Sequence, residues 1–252
     1  MRRTCSPPWA PDLIEPIDLL SLPAGPPQVV GREAGFALKV LRPTADAESI
    51  PPGQGQVLIV LEGTARIEEA ADDDAKVVHT ARHDRAADLP AGSLWLVAND
   101  ARWTLTGDAV VLAISTSVPR QLRRLDDLPA IARGRPHMAP RQLFTNEMVR
   151  VELVAARGRL PFRGWVPYDH TTPKVEFALI LRGSFRARVG GESQMLSAGS
   201  LLRVPPDTPH NFRARGRGTS IGIVISALME RREADVPVER DHVRGFTPFG
   251  RG

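Results

Sequence analysis

Residues 164–183 read GWVPYDHTTPKVEFALILRG, and residues 198–210 read AGSLLRVPPDTPH. These segments hold three residues of metal-ligating type, His170, Glu176 and His210. His170 and Glu176 are an even number of residues apart, so on an extended strand both point to the same face. His210 follows a second apolar segment and a proline-rich turn over residues 205–209. Two imidazoles and one carboxylate converging from neighbouring strands are typical of non-haem Fe(II) sites.

Both segments resemble the sequence motifs of the cupin family. The first motif is G-x5-H-x-H-x3-4-E-x6-G and the second is G-x5-P-x-G-x2-H-x3-N. The residues in register with them are Gly164, His170, Thr172, Glu176 and Gly183, and then Gly199, Pro205, Asp207, His210 and Ala214. The resemblance implies a β-barrel whose interior holds a metal ion, with His170, Glu176 and His210 as its ligands.

Three positions depart from the motifs. Thr172 replaces the second histidine, which reduces the usual four ligands to three. Asp207 replaces a glycine, a mild change because aspartate tolerates a left-handed backbone conformation. Ala214 replaces the asparagine that ends the second motif.

An internal repeat predicts the domain organisation. LPAGSLWLVAND (89–100) aligns with LSAGSLLRVPPD (196–207), and QVLIVLEG (56–63) aligns with EFALILRG (176–183). GDAVVLAIS (107–115) likewise aligns with GTSIGIVIS (218–226). Short apolar strands with Gly/Pro turns dominate and helical periodicity is nearly absent, which indicates an all-β fold. We therefore expect two tandem barrels, which the resemblance identifies as cupin-type double-stranded β-helices (jelly rolls), over residues 1–118 and 119–252.

The first repeat has lost the ligand residues. In the alignment, the places of the four motif positions are taken by Ile50, Pro52, Gln56 and Trp103. Trp103, at the place of His210, should fill the first barrel with apolar bulk. We expect metal only in the second barrel.

The first repeat is preceded by a proline-rich stretch, residues 1 to about 30, that we expect to run as an extended arm. Residues 43–55 are predicted to be a loop, and residues 56–61 a buried strand closed by Glu62 and Gly63. Residues 68–85 are polar and are predicted to form a long hairpin excursion.

Other residues of the second repeat are candidates for contacts with a substrate. Tyr168 could act as an acid–base group, and Thr172 could line the pocket. Arg182 shares strand parity with Glu176, and Arg203 lies on the strand leading to His210, so either guanidinium could bind a carboxylate or a phosphate on a small substrate. In the opposing interpretation the site is a vestige, with Glu176 paired to a nearby cation such as Lys174.

The three-ligand pattern is similar to that of the 3-hydroxyanthranilate dioxygenases, cupins that hold iron through two histidines and a glutamate. This resemblance implies a non-haem Fe(II) dioxygenase-type oxidoreductase acting on a small, carboxylate-bearing molecule. The donor set also accepts Mn, Ni or Zn. Two alternatives stay open: a metal-dependent isomerase, epimerase or lyase, and a cupin that binds or regulates without turnover.

Composition excludes several other classes. Basic residues number 33 and acidic residues 29, but they interleave along the chain, which predicts no nucleic-acid partner. Cys5 is the only cysteine, so neither an intrachain disulfide nor a cysteine-based zinc cluster can form. No apolar run is long enough to span a membrane, and a cytoplasmic location is expected. A homodimer is one possible assembly, with Phe246 and Phe249 available to anchor the tail on a partner.

Overall fold

The computed structural model describes residues 15–43, 48–51, 55–69, 86–97, 102–117, 125–134, 140–157 and 169–228. These residues form an all-β fold with two sheet systems, which is consistent with the tandem cupin barrels predicted from the repeat. The predicted fold class is confirmed.

The described residues up to position 127 form nine strands. In chain order they are β1 (Ile17–Asp18), β2 (Gln28–Glu33), β3 (Phe36–Leu41), β4 (Glu48–Ile50), β5 (Gln56–Glu69), β6 (Ala86–Pro90), β7 (Ser93–Val97), β8 (Trp103–Ser115) and β9 (Leu125–Asp127). The short helix α1 (Leu128–Gly134) follows directly. Asp127 caps it, because its carboxylate accepts a hydrogen bond from the Ala130 amide at 2.9 Å.

The described residues from 141 to 227 form eight further strands. They are β10 (Arg141–Thr145), β11 (Val149–Arg157), β12 (Glu176–Arg182), β13 (Ser184–Val189), β14 (Glu192–Ser197), β15 (Ser200–Val204), β16 (His210–Arg215) and β17 (Thr219–Ala227).

Neighbouring strands pair in the same order in both halves. The first sheet runs β2-β3-β8-β5-β7-β9, with β4 paired to β8 and β6 paired to β5. In the second half, one sheet runs β1-β15-β12-β17-β11-β10 and a three-stranded sheet runs β14-β13-β16. Strand β1 of the N-terminal arm joins the second sheet, because Ile17 pairs with Leu201.

The same backbone irregularity interrupts the central strand of each half. The register of β5 shifts between Val60 and Glu62, and that of β12 shifts between Ile180 and Arg182. A glycine with positive φ follows each shift, Gly63 at 74° and Gly183 at 75°. A Cβ on Gly63 would lie 1.9 Å from the Asp108 carbonyl oxygen, so only glycine fits there.

Alternate residues of the central strands face different cores. In β12, Ala178 and Ile180 lie in the interior of the second barrel, where Phe185 and Phe212 also pack. Phe177 and Leu179 face the other way, into a larger core shared by the two halves. Both faces of the strand are therefore apolar, as expected for a strand buried on both sides.

The shared core holds the two halves together. Phe36 from β3 packs edge-on against Phe177 from β12, with ring centroids 6.2 Å apart. Each such side chain, when fully buried, contributes roughly 1.5–3 kcal/mol through the hydrophobic effect. Gly35, at the turn before Phe36, is held against Met148 of the second half.

Four expectations about individual elements need correction. Strand β5 does not end at Gly63 but continues to Glu69, because Gly63 lets the chain turn while its pairing with β8 persists. The segment predicted as a loop contains β4, and the predicted arm contains the start of β2. Strand β14 was not predicted, because its sequence ESQMLS has few β-branched or aromatic residues. The hairpin excursion mostly falls on residues 70–85, outside the described residues.

Over the described ranges, the chain contains no helix with the length and apolar character needed to cross a bilayer.

Candidate metal site

His170 and His210 lie opposite each other at one end of the second barrel. They form an isolated antiparallel bridge in which the His170 amide donates to the His210 carbonyl at 3.1 Å and the His210 amide donates to the His170 carbonyl at 2.9 Å. The two imidazole rings are 4.1 Å apart between centroids. The backbone pairing therefore fixes both rings on the same side of the barrel wall.

Glu176 begins β12 and completes the cluster. It pairs with Val204 on one side and with Ser226 on the other. Its Oε2 lies 3.2 Å from Nε2 of His210, and its Oε1 accepts a hydrogen bond from the Ser226 hydroxyl at 3.1 Å. Each of the three residues offers a donor atom within 4.8 Å of the other two.

The hydrogen bonds of His210 decide which ring nitrogen carries a proton. Its Nδ1 lies 2.8 Å from the Thr208 carbonyl oxygen, which can only accept, so Nδ1 carries hydrogen. In neutral His210 the Nε2 lone pair then points at the Glu176 carboxylate, which also only accepts. The two groups can form a hydrogen bond only when a proton lies between them, and a metal ion could take the place of that proton.

The pKa values in the metal-free protein show the same coupling. Burial disfavours the charged form of His210, but its hydrogen bonds to Glu176 and Thr208 outweigh burial and raise its pKa above the ordinary value of 6.5. Burial would raise the pKa of Glu176, but the hydrogen bond and charge of His210 lower it below 4.5. For His170, burial and the neighbouring His210 charge both lower the pKa.

The residues present fit a divalent transition ion. Metal-bound histidines usually donate their second ring N–H to a carbonyl or carboxylate, as His210 does to Thr208. Metal-bound carboxylates are usually hydrogen-bonded in turn, as Glu176 is by Ser226. Nδ1 of His170 is buried and has no hydrogen-bond partner in the described part of the chain. The cluster thus offers two imidazoles and a carboxylate oriented as ligands.

The turn before His210 sets the position of that ring. Asp207 adopts a left-handed conformation with φ of 55°, at the motif position where glycine is usual. Its amide donates to the Thr172 carbonyl at 2.7 Å and so ties the two motif segments together. The Thr172 hydroxyl accepts a 3.3 Å hydrogen bond from the Lys174 amide. Thr172 therefore stabilises the loop through these hydrogen bonds. It is not one of the three residues that offer metal-ligand atoms.

Arg203 does not face this cluster. On β15, Leu202 and Val204 point into the barrel, whereas Leu201 points into the shared core on the opposite face. Arg203 shares the parity of Leu201, and its Nε and Nη2 donate to Oε1 of Glu33 in β2 at 3.1 and 2.8 Å. The guanidinium predicted to bind substrate instead links the two halves.

Arg182 is also separated from the site. It is exposed at the far end of β12, six residues beyond Glu176. At about 3.3 Å per residue, that places it roughly 20 Å away along the strand. Strand parity alone did not predict whether Arg182 is near the site, because Arg182 and Glu176 lie at opposite ends of the same strand. Tyr168, the predicted acid–base group, lies outside the described residues.

The groups that orient the ligands were not predicted from the sequence. Ser226 and the Thr208 carbonyl hold Glu176 and His210. Buried Asn211 donates through Nδ2 to Oδ1 of Asp169, the residue that precedes His170. A signal for Ser226 was present, because the serine ends both copies of the repeat, as Ser115 and Ser226.

The first barrel repeats this geometry with different side chains. Ile50 pairs with Trp103, as His170 pairs with His210. Gln56 pairs with Val97 and Ser115, as Glu176 pairs with Val204 and Ser226. Trp103 is fully buried and contacts Trp95 edge-on in the interior core of the first barrel. The prediction for Trp103 is confirmed, while Pro52 lies outside the described residues.

Comparisons with known proteins agree with this description. Residues 159–226 match the family model described as "Cupin domain". No curated protein sequence matches the chain.

Among solved structures, a Cupin 2 conserved barrel domain protein from Leptotrichia buccalis matches with a TM-score of 0.67 at 11% identity, covering 86% of this chain and 97% of that one. Protein Ylba from E. coli matches with a TM-score of 0.56 at 11% identity, covering 86% and 91%. A putative glyoxylate induced protein from Pseudomonas aeruginosa matches with a TM-score of 0.54 at 14% identity, covering 81% and 78%. Such low identities show the fold alone.

Motif spacing, the match of residues 159–226 to the cupin domain family model and the two sheet systems agree on a cupin-type fold, with a candidate His/Glu/His metal site in the C-terminal half.

Proposed function

We propose that the second barrel binds a divalent transition metal through His170, Glu176 and His210 and acts as a non-haem Fe(II) dioxygenase-type oxidoreductase. The observation that carries this proposal is the clustering of three donor atoms within 4.8 Å of one another, with no fourth ligand at the Thr172 position. Three protein ligands leave coordination positions open on an ion that prefers five or six.

Held by His170, Glu176 and His210, Fe(II) would supply Lewis acidity and redox chemistry toward a substrate and O₂. The chain's own part is to fix the donors. The Thr208 carbonyl keeps the His210 proton on Nδ1, which leaves Nε2 free to bind. Ser226 holds Oε1 of Glu176, which leaves Oε2 directed toward the histidines.

The barrel interior limits the substrate. Beyond the cluster it is filled by apolar side chains, including Ile180, Phe185 and Phe212, each 0–2% exposed. A substrate must therefore be small and must bind at the end where His170 and Asp169 reach the surface. We retain a small carboxylic acid as the proposed substrate class. Since neither Arg182 nor Arg203 faces the site, its carboxylate would have to reach the open metal positions.

The test is elemental analysis after identical anaerobic reconstitution with Fe(II). The parent should retain about one equivalent of iron, and Glu176→Gln should retain far less because it removes the anionic ligand. Gln56→Ala is the matched control, since Gln56 holds the register position of Glu176 in the first barrel, and it should leave the iron content unchanged. Equal iron in the parent and Glu176→Gln would show that the cluster is a vestige.

Oxygen consumption then separates the reaction classes. The Fe(II)-loaded parent should consume O₂ with at least one member of a panel of small aromatic and aliphatic acids, and Glu176→Gln should not. Substrate turnover that proceeds equally under argon, or with Zn(II) in place of iron, would favour the isomerase, epimerase or lyase alternative. Metal binding without any turnover would favour a non-catalytic binding role.

A further inference from the structure

Less backbone pairing holds His170 to its barrel than holds the equivalent residue of the first barrel. In the first barrel, β4 pairs with β8 over three successive residues. In the second, the described residues from 169 to 175 form one isolated bridge to β16, between His170 and His210. His170 therefore needs further contacts if its ring is to keep a fixed position.

Side chains on the outside of the barrel wall supply such contacts. Phe212 of β16 packs in the barrel core and His210 shares its parity, so Asn211 between them points outward. There, Nδ2 of Asn211 donates to Oδ1 of Asp169, and Nη1 of Arg188 in β13 lies 3.4 Å from Oδ2 of Asp169. Arg188 is also the residue that pairs with Asn211 across the sheet. We call Asp169, Asn211 and Arg188 the outer clip.

The outer clip joins the chain neighbours of the two histidine ligands. Asp169 directly precedes His170, and Asn211 directly follows His210. Because adjacent side chains on an extended backbone point to opposite faces, the clip lies outside the wall at the place where both rings lie inside. A hydrogen bond between these outer neighbours therefore restrains the backbone of both ligands, and with it the separation of their rings.

Within the outer clip, Asn211 provides most of the restraint. The residue is only 5% exposed, and its amide donates to a charged acceptor, which gives a stronger hydrogen bond than a neutral acceptor does. The ion pair between Asp169 and Arg188 is weaker, because the Arg188 side chain is 51% exposed and exposed pairs contribute little. We therefore expect the loss of Asn211 to have a larger effect than the loss of Arg188.

The first barrel has none of the three residue types of the outer clip at the equivalent positions. These positions are occupied by Ser49, Thr104 and Glu68. The Thr104 hydroxyl donates to the Glu68 backbone carbonyl at 3.3 Å, and the Glu68 carboxylate pairs with Arg66. The wall of the barrel thus forms without the clip. The clip occurs in the barrel that has the histidines, which indicates that it serves them.

We propose that the outer clip positions the metal ligands. The hydrogen bond between Asn211 and Asp169 fixes the bridge between His170 and His210, and so sets the two imidazoles at the separation that a metal ion requires. This inference rests on the proposed metal binding at the same site. Asp169 and Asn211 are positioning residues, since neither is among the three clustered donors.

The test is the binding of Co(II), a spectroscopic substitute for Fe(II), to the full chain, followed by visible absorption and by competition with a chelator. Asn211→Leu removes the donor but leaves every charge in place. We expect it to weaken Co(II) binding about tenfold and to change the Co(II) spectrum, because groups that orient ligands usually have effects of this size. Thr104→Leu, the matched change in the first barrel, should alter neither.

The Asp169 variants separate position from charge. Asp169→Ala should weaken Co(II) binding as Asn211→Leu does, whereas Asp169→Asn keeps an acceptor for the Asn211 amide and should recover part of the affinity. If the buried substitution at Asn211 prevents folding, these two variants provide the test by themselves. Equal losses in Asp169→Asn and Asp169→Ala would overturn the proposal, because the charge and not the hydrogen bond would then be responsible.

Two other results would overturn it. One is an Asn211→Leu protein that binds Co(II) as tightly as the parent. The other is a loss of affinity without any change in the Co(II) spectrum, because a generally destabilised fold would have that effect.

A metal-free measurement distinguishes failure of this inference from failure of the proposed function. The His170 and His210 amides form the bridge, so their hydrogen exchange should be faster in Asn211→Leu and Asp169→Ala than in the parent and Thr104→Leu. Unchanged exchange would overturn the clip even if the parent binds metal. A parent that binds no Co(II), but whose variants show the expected exchange, would contradict the metal-binding function and confirm that the clip fixes the bridge.

Discussion

Trp103 stands in the first barrel at the register position that His210 holds in the second. Its side chain is fully buried among apolar neighbours. Trp103→Ala should therefore lower the free energy of unfolding by roughly 3–5 kcal/mol, the usual cost of deleting a large buried aromatic side chain. Urea denaturation followed by circular dichroism measures this. Thr106→Ala, on the outward side of the same strand, should change stability by only about 0.5 kcal/mol.

Ser226→Ala tests how Glu176 is held. Loss of the 3.1 Å hydrogen bond to Oε1 frees the carboxylate to rotate, and we expect metal affinity to fall roughly tenfold or more. Ser115→Ala is the matched change in the first barrel, because Ser115 pairs with Gln56 as Ser226 pairs with Glu176. Competition with a chromogenic chelator measures both affinities. If the two variants lost affinity equally, Ser226 would have no specific role in the site.

The stability of the metal-free protein should depend on pH through the His210–Glu176 pair. The raised pKa of His210 contributes stability that is present below 6.5 and is lost as pH rises through the raised value. The lowered pKa of Glu176 contributes stability that is present above 4.5 and is lost as pH falls through the lowered value. The parent should therefore exceed Glu176→Gln in stability most clearly between about pH 4.5 and 6.5. The lowered pKa of His170 has the opposite effect on stability. As pH falls through 6.5 the unfolded chain takes up this proton more readily than the folded protein, which lowers the stability of the fold.

Metal affinity should show the opposite trend as pH rises above 6.5. Both imidazoles must be neutral to bind a metal, and the raised pKa of His210 makes the proton compete above pH 6.5. Affinity should thus increase with pH through this region while the stability of the metal-free protein declines. Metal titrations at several pH values between about 6 and 8 provide the comparison. A metal affinity that is independent of pH over this interval would exclude His210 as a ligand.

Arg203→Met should destabilise the protein without changing its metal content. The Glu33 side chain is only 5% exposed, so losing both guanidinium donors leaves a buried carboxylate without them. We expect a loss of about 1–3 kcal/mol, the usual cost of such a group. Arg182→Met, at an exposed position, should have little effect on stability. A drop in bound metal for Arg203→Met would instead indicate that Arg203 contributes to the metal site.

The sequence contained enough information to bring the three clustered residues together. Motif spacing fixed the parity of His170 and Glu176, and the proline-rich turn brought His210 back to the same end of the barrel. The internal repeat then predicted the register of the first barrel, including the burial of Trp103. These inferences succeeded because strand parity and turn chemistry are local properties of the chain.

Inferences that needed distance or facing direction were less successful. Arg203 lies on a strand whose two faces are both buried. Apolar residues therefore occur at every position around it, and their pattern does not reveal which face the Arg203 side chain is on. Arg182 has the parity of Glu176 but lies at the opposite end of the strand.

The shared core is built from equivalent positions of the two halves. Val57 and Ile59 enter it from the first barrel, and Phe177 and Leu179 enter it from the same places in the second. Mutual contact through one common patch is the geometry of an isologous homodimer, here with its subunits fused. Fusion makes the association independent of protein concentration. Fusion also allows the two halves to differ in sequence, so that Trp103 can fill the interior of the first barrel while the second barrel has metal-ligating residues.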